Sequence, residues 1–188
     1  MSRLIAGCLI LFWCVSAPTA PVPKGAEMTS VYFPTTLGAK WVYERPGRED
    51  ESVVVSAVEK DGDDLIVSRE GVDGTRTIYA KMVVSAEGLR QVRELTDGKV
   101  GWVLKSRLKP GDSWEVPDGG KRTVHEPEEI EVPAGKFKAL RVVWEHDGGT
   151  LTSWYAPGVG EVKRTIKRND VETVYRSLKS FTPGGQKR

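Results

Sequence analysis

Between residues 31 and 181 apolar and polar positions alternate with a period of two, in short segments broken by turn dipeptides. S-V-V-V-S-A-V at 52–58 reads as a strand. Over 78–84 the alternation sets Ile78, Ala80, Met82 and Val84 on one face, and over 137–144 it sets Leu140, Val142 and Trp144 on one face. Residues 165–175 read as a hairpin. With Asn169-Asp170 as a two-residue loop, Lys167 lies opposite Glu172, a favourable cross-strand pair. Asp-Gly falls at 61–62, 73–74, 97–98, 118–119 and 147–148, where type I′ turns are expected, and Pro-Gly at 46–47, 110–111 and 157–158. No window of eleven or more residues keeps a 3.6-residue apolar period. The pattern predicts an all-β fold: a single curved antiparallel sheet of about ten strands, as a half-barrel or open barrel, with helix only in an N-terminal signal segment. No fixed-length repeat marks a solenoid or propeller.

The first residues follow another rule. Arg3 precedes an uncharged run from Leu4 to Val15, too short to cross a bilayer core, and small residues follow at Ser16, Ala17 and Ala20. This predicts a signal peptide over 1–17, a Pro-rich linker over 18–30, the β domain over 31–181 and a disordered tail over 182–188. A cut after Ser16 avoids leaving Pro18 or Pro21 as the first residue; an uncleaved N-terminal anchor is the alternative. Both cysteines lie in the leader. I-A-G-C at Cys8 has the residue types of a lipobox, but the apolar run continues past it, and at Cys14 the bulky Trp13 occupies the position of a small residue. The exported domain is then free of cysteine, which excludes disulfides, thiolate chemistry and cysteine-held metals there.

Charged residues make up 29% of the chain and the formal net charge is +2, so no overall field favours nucleic acid. His125 and His146 stand apart, with no metal-binding spacing around them, and no G-x-S-x-G or Gly-rich phosphate loop is present. K-D-G-D-D-L at 60–65 lacks the spacing and closing Glu of a calcium loop. No catalytic residue, metal ligand or cofactor is therefore predicted. The basic run Lys163, Arg164, Lys167, Arg168, Arg176, Lys179, Lys187 and Arg188 reads as a solvated edge hairpin rather than a lipid-facing patch.

Trp41, Trp102, Trp114, Trp144 and Trp154 fall in the domain. They either fill the core or line a ligand platform. Trp144, in phase with Leu140 and Val142, reads as core. With Asp97-Gly98 as a two-residue loop, Arg93 pairs with Trp102 in a cation–π contact. Trp154 and Tyr155 point to opposite faces, which leaves one of them accessible.

Three stretches carry a family resemblance: Y-F-P-T-T-L-G-A-K-W-V-Y (32–43), E-V-P-A-G-K-F-K-A-L-R-V (131–142) and W-Y-A-P-G-V-G-E-V-K-R (154–164). They resemble a broad group of bacterial envelope β-proteins that open with Y-F-P-L-x-x-G-x-x-W-x-Y and later carry P-A-G-x-F and W-Y-A-P-G-V-G. Thr35 stands where the group has Leu. The group in turn resembles the lipoprotein-carrier half-barrels, curved sheets that hold acyl chains. The leader and the missing catalytic motifs predict an exported periplasmic or extracellular protein without catalysis, and the resemblance adds a lipid role. Its partner would be an apolar or lipid ligand on the concave sheet face, with Trp41, Tyr43, Trp102, Trp154 and Tyr155 as the candidate ligand-binding residues. A structural or protein-interaction module of the envelope is the alternative, and an exported hydrolase the third reading. If Trp41 is core, Trp41→Ala should cost about 3–5 kcal/mol in chemical denaturation; a loss below about 1 kcal/mol would place the indole on the surface.

Overall fold

The computed structural model describes residues 32–72, 78–92, 100–117 and 119–185. The signal segment, the linker, Arg93, and the Asp73-Gly74 and Asp97-Gly98 turns lie outside the described residues. The strands are β1 (Lys40–Glu44), β2 (Glu51–Asp61), β3 (Asp64–Gly71), β4 (Ile78–Ser85), β5 (Gly88–Val92), β6 (Val100–Lys105) and β7 (Ser113–Glu115). They continue with β8 (Lys121–Val124), β9 (Glu128–Val132), β10 (Gly135–His146), β11 (Gly149–Ala156), β12 (Gly160–Arg168) and β13 (Val171–Thr182). All thirteen belong to one open antiparallel sheet, in the order β6-β5-β4-β3-β2-β1-β13-β12-β11-β10-β8-β7, with β9 paired to β10 off that path. The all-β, curved-sheet expectation holds. The count exceeds about ten because β7, β8 and β9 are too short for their alternation to register. Thr182 still belongs to β13, and Gly184 lies against the 36–39 turn; residues 186–188 of the expected tail lie outside the described residues.

Turn chemistry divides by dipeptide. Each Pro-Gly makes a type II turn: Gly47, Gly111 and Gly158 have φ of 70°, 93° and 73°, and the i+3 amides of Arg48, Asp112 and Val159 donate to the carbonyls of Arg45, Lys109 and Ala156. Asn169-Asp170 forms the expected two-residue loop, both residues at positive φ, and sets Lys167 opposite Glu172. The side chains choose other partners, Lys167 the Asp170 carboxylate and Glu172 the Thr165 hydroxyl. The Asp-Gly expectation fails in two described hairpins. The β2–β3 loop is Gly62-Asp63, one residue later than expected. Asp147-Gly148 is a two-residue loop without positive φ at either position, where the Gly148 amide donates to Nδ1 of His146.

Curvature comes from bulges. Six pairings shift register: β1–β13, β2–β3, β3–β4, β5–β6, β11–β12 and β12–β13. Each extra residue bends its strand and increases the local twist. A bulge also breaks the in–out alternation, so residues an odd number apart can share a face. The fully buried core includes Trp41, Tyr43, Val55, Val67, Val124, Val162 and Leu178. Ala80, Met82, Val84, Leu140 and Val142 are buried as the alternation requires. Trp144 is only half-buried. It lies at the end of the β10 face, under Arg122 and against His146, with its indole N–H donating to the Gly119 carbonyl. Trp154 and Tyr155 flank the β11–β12 bulge and are both buried, contrary to the expectation that one is accessible.

The two ends of the sheet meet without a backbone ladder among the described residues. The Trp114 indole of β7 donates to the Trp102 carbonyl of β6 at 3.0 Å. Arg122 of β8 donates to the Val103 carbonyl at 2.8 Å. These side chains cap the exposed edge of β6, as an unpaired edge requires. The β9–β10 hairpin reaches the far side of the sheet, where the Ala134 amide donates to the Leu178 carbonyl of β13. The β12–β13 hairpin is not an edge, as its basic composition suggested: β13 pairs with β1 and β12 with β11, at the middle of the sheet. Two side-chain bonds hold less than a ladder, so the seam should open first. Native-state hydrogen exchange should release β6 and β7 amides well before those of β1, β12 and β13. Equal protection across these strands would refute a weak seam.

Candidate functional site

The middle strands carry a buried ionic network facing the interior. Arg164 of β12 and Arg176 of β13 are directly opposite each other, an arrangement that repels on its own. Glu161 resolves it. The β11–β12 bulge turns Glu161 toward the side on which Arg164 lies; one of its oxygens accepts from Arg164 Nη2 and the other from Arg176 Nε at 2.6 Å. Arg176 also approaches Glu51 at 3.5 Å and lies 4.5 Å over the Tyr43 ring. Burial alone would raise the Glu161 pKa; the charges and hydrogen bonds of Arg164 and Arg176 together outweigh burial and bring it to about 2.

Beside this network lies a cavity of about 200 Å³. Phe33, Trp41, Met82 and Leu89 form its apolar wall, and Arg69, Glu161, Arg164 and Arg176 its charged wall. The Arg69 guanidinium lies 5.1 Å from the Phe33 ring and 5.5 Å from the Trp41 ring. A second cavity of about 100 Å³ adjoins it, sharing Gln91, Val103, Tyr155 and Arg164, and reaches Arg122, Trp144 and Ser153 behind the seam.

Of the candidate ligand-binding residues, Trp41 and Tyr155 line the larger cavity. Trp41 is anchored by its indole N–H to the Val159 carbonyl at 2.7 Å. Tyr43 is buried in the core, its hydroxyl donating to the Glu161 carbonyl. Trp154 is buried with its indole N–H on the Glu128 carboxylate, and Trp102 sits at the seam. Arg90 is directly opposite Trp102, its guanidinium 5.3 Å from the indole; the expected Arg93 contact lies outside the described residues. Sequence reasoning missed Arg69, Arg122, Glu161, Arg164 and Arg176, which resemble surface charges in a charged chain. Among the described residues no three His, Cys, Asp or Glu side chains gather as a metal would require.

The stretches that carried the resemblance meet in space. A side chain at Gly160 would crowd the Tyr32 carbonyl at 3.2 Å and Pro34, so W-Y-A-P-G-V-G packs directly on Y-F-P, with Trp41 bonding across. No protein-family model matches the chain, and no curated protein matches it. Two solved structures are similar in fold. One is a candidate lipoprotein from Parabacteroides distasonis, 17% identical with a TM-score of 0.56, covering 82% of this chain and 99% of its own. The other is a candidate exported protein with a YmcC-like fold from Bacteroides fragilis, 13% identical with a TM-score of 0.56, covering 81% and 99%.

Glu161 yields a pH prediction. Its folded pKa of about 2 lies below the ordinary 4.5, so its contribution is complete above pH 4.5 and is lost as pH falls toward 2. The pKa difference corresponds to roughly 3 kcal/mol. Glu161→Gln leaves two facing guanidiniums uncompensated and should cost about 3–5 kcal/mol at pH 7. It should also flatten the acid loss of stability between pH 4.5 and 2, as read by urea unfolding. A variant that keeps the wild-type acid profile would contradict this role.

Proposed function

We propose that this is an exported, non-catalytic envelope protein that holds a small, partly apolar ligand inside its curved sheet. Export is supported by the leader-like N-terminus and by the descriptions of the two similar structures as a candidate lipoprotein and a candidate exported protein. The observation that carries the ligand reading is the cavity between the Phe33–Trp41–Met82–Leu89 wall and the arginine wall. Its roughly 200 Å³ exceeds the ~150 Å³ apolar space known to accept benzene. It is smaller than the ~300 Å³ at which sites for larger ligands begin. A short alkyl or aromatic group fits; a diacyl lipid does not, which narrows the carrier reading to small molecules.

The non-catalytic reading is supported by Glu161, the one carboxylate among the described residues lining either cavity. A general base works best with a pKa near the operating pH, and a group at about 2 is a poor one. The interaction-module reading draws on the exposed Val171 and Val174 of β13, 63% and 38% accessible. Hexan-1-ol and octan-1-ol, neutral probes of the apolar wall, should shift the Met82 methyl resonance saturably, with dissociation constants in the millimolar range or tighter. Ala80→Leu, which extends a side chain into the same space, should abolish the shift. Absence of any saturable shift in the folded wild-type protein would leave the interaction module as the better reading.

A further inference from the structure

The smaller cavity differs in chemistry from the larger. Among the described residues its lining holds two guanidiniums, Arg122 and Arg164, and three neutral polar groups, Gln91, Ser153 and Tyr155, but no carboxylate. Glu161 lines only the larger space. Arg164 uses Nε on the Ser153 hydroxyl and Nη2 on Glu161. Nη1, with two N–H groups, has no protein partner among the described residues. Arg122 enters from β8, over the Trp144 ring. Burial, and after it the Glu161 charge, raise the Tyr155 pKa above its ordinary value. The phenol therefore stays protonated at neutral pH and can donate.

We infer that the smaller cavity is an anion subsite, in which Arg122, Arg164 and Tyr155 bind a carboxylate or phosphate group whose apolar remainder lies along Trp41 and Met82. This rests on the ligand reading above and names the class of molecule: a small amphiphile with an oxyanion head. An oxyanion there would accept charge-assisted hydrogen bonds from guanidinium groups and from the Tyr155 hydroxyl. The two cavities touch at Tyr155 and Arg164, so head and body fit a single molecule. The bland alternative is that both arginines serve only the fold, Arg122 by closing the seam and Arg164 by pairing Glu161. It differs in what it says about binding.

Hexanoate, hexyl phosphate and hexan-1-ol share a chain and differ in head. By calorimetry on the full domain, hexanoate or hexyl phosphate should bind at least tenfold more tightly than hexan-1-ol, with the advantage shrinking as salt rises. Arg122→Gln should erase the advantage while hexan-1-ol still binds, which shows that the variant is folded. Equal affinity for the three probes would overturn the anion subsite and leave the ligand reading standing. No binding of any of them would remove both. Inorganic phosphate binding as tightly as hexyl phosphate would show a free oxyanion as the ligand and overturn the amphiphile.

Discussion

Arg164 and Arg176 face each other across two adjacent strands in the middle of the sheet, and one carboxylate between them makes that arrangement tolerable. In water such a pair would cost little. In an interior that excludes water, each charge must be matched by hydrogen bonds or the strands separate. Glu161 supplies them, Glu51 contributes from β2, and the Tyr43 ring covers Arg176. The network thus joins β2, β12 and β13 across the place where the two halves of the sheet meet. Its geometry depends on the bulges on either side of β12. They bring Arg176 into line with Arg164 and turn Glu161 inward.

The same bulges mark the limit of what the sequence discloses. Period-two alternation and turn residues were enough to give the sheet, its antiparallel order and the register of the Asn169-Asp170 hairpin. Continued without interruption, that register would set Arg164 opposite Tyr175; one extra residue puts Arg176 there instead. A basic C-terminal segment then reads as a solvated edge, although its Arg176 is the most buried charge among the described residues. Trp154 and Tyr155 fail on another ground: Tyr155 faces the cavities while Trp154 packs by Glu128 of β9, so both are covered. The Asp-Gly turns fail on a different ground: several backbone conformations accept these residues in a two-residue loop, and the flanking strands decide among them.

The candidate site was legible in part. Trp41 stood out as a large aromatic on the first strand, and it lines the larger cavity. The arginines did not stand out, because a guanidinium on an inward face and one on an outward face look alike in a one-dimensional pattern. What separates them is the three-dimensional convergence of β3, β8, β12 and β13, which no local motif encodes. The family-like motifs have a mechanical explanation, since Tyr32–Pro34, Trp41 and Val159–Gly160 form one joint at the base of the larger cavity.

The pairing of β1 with β13 has a consequence for how the molecule is made. Nearly every other strand pair is a local hairpin, able to form as soon as its residues are available. The central pair joins segments separated by almost the whole described chain, and closing so large a loop is slow. The half-sheet β1–β6 therefore waits, with its inner face uncovered, until the last described strand has been synthesised. A chain threaded through a membrane from its N-terminus would remain pliable in transit and gain its ionic centre only on the far side.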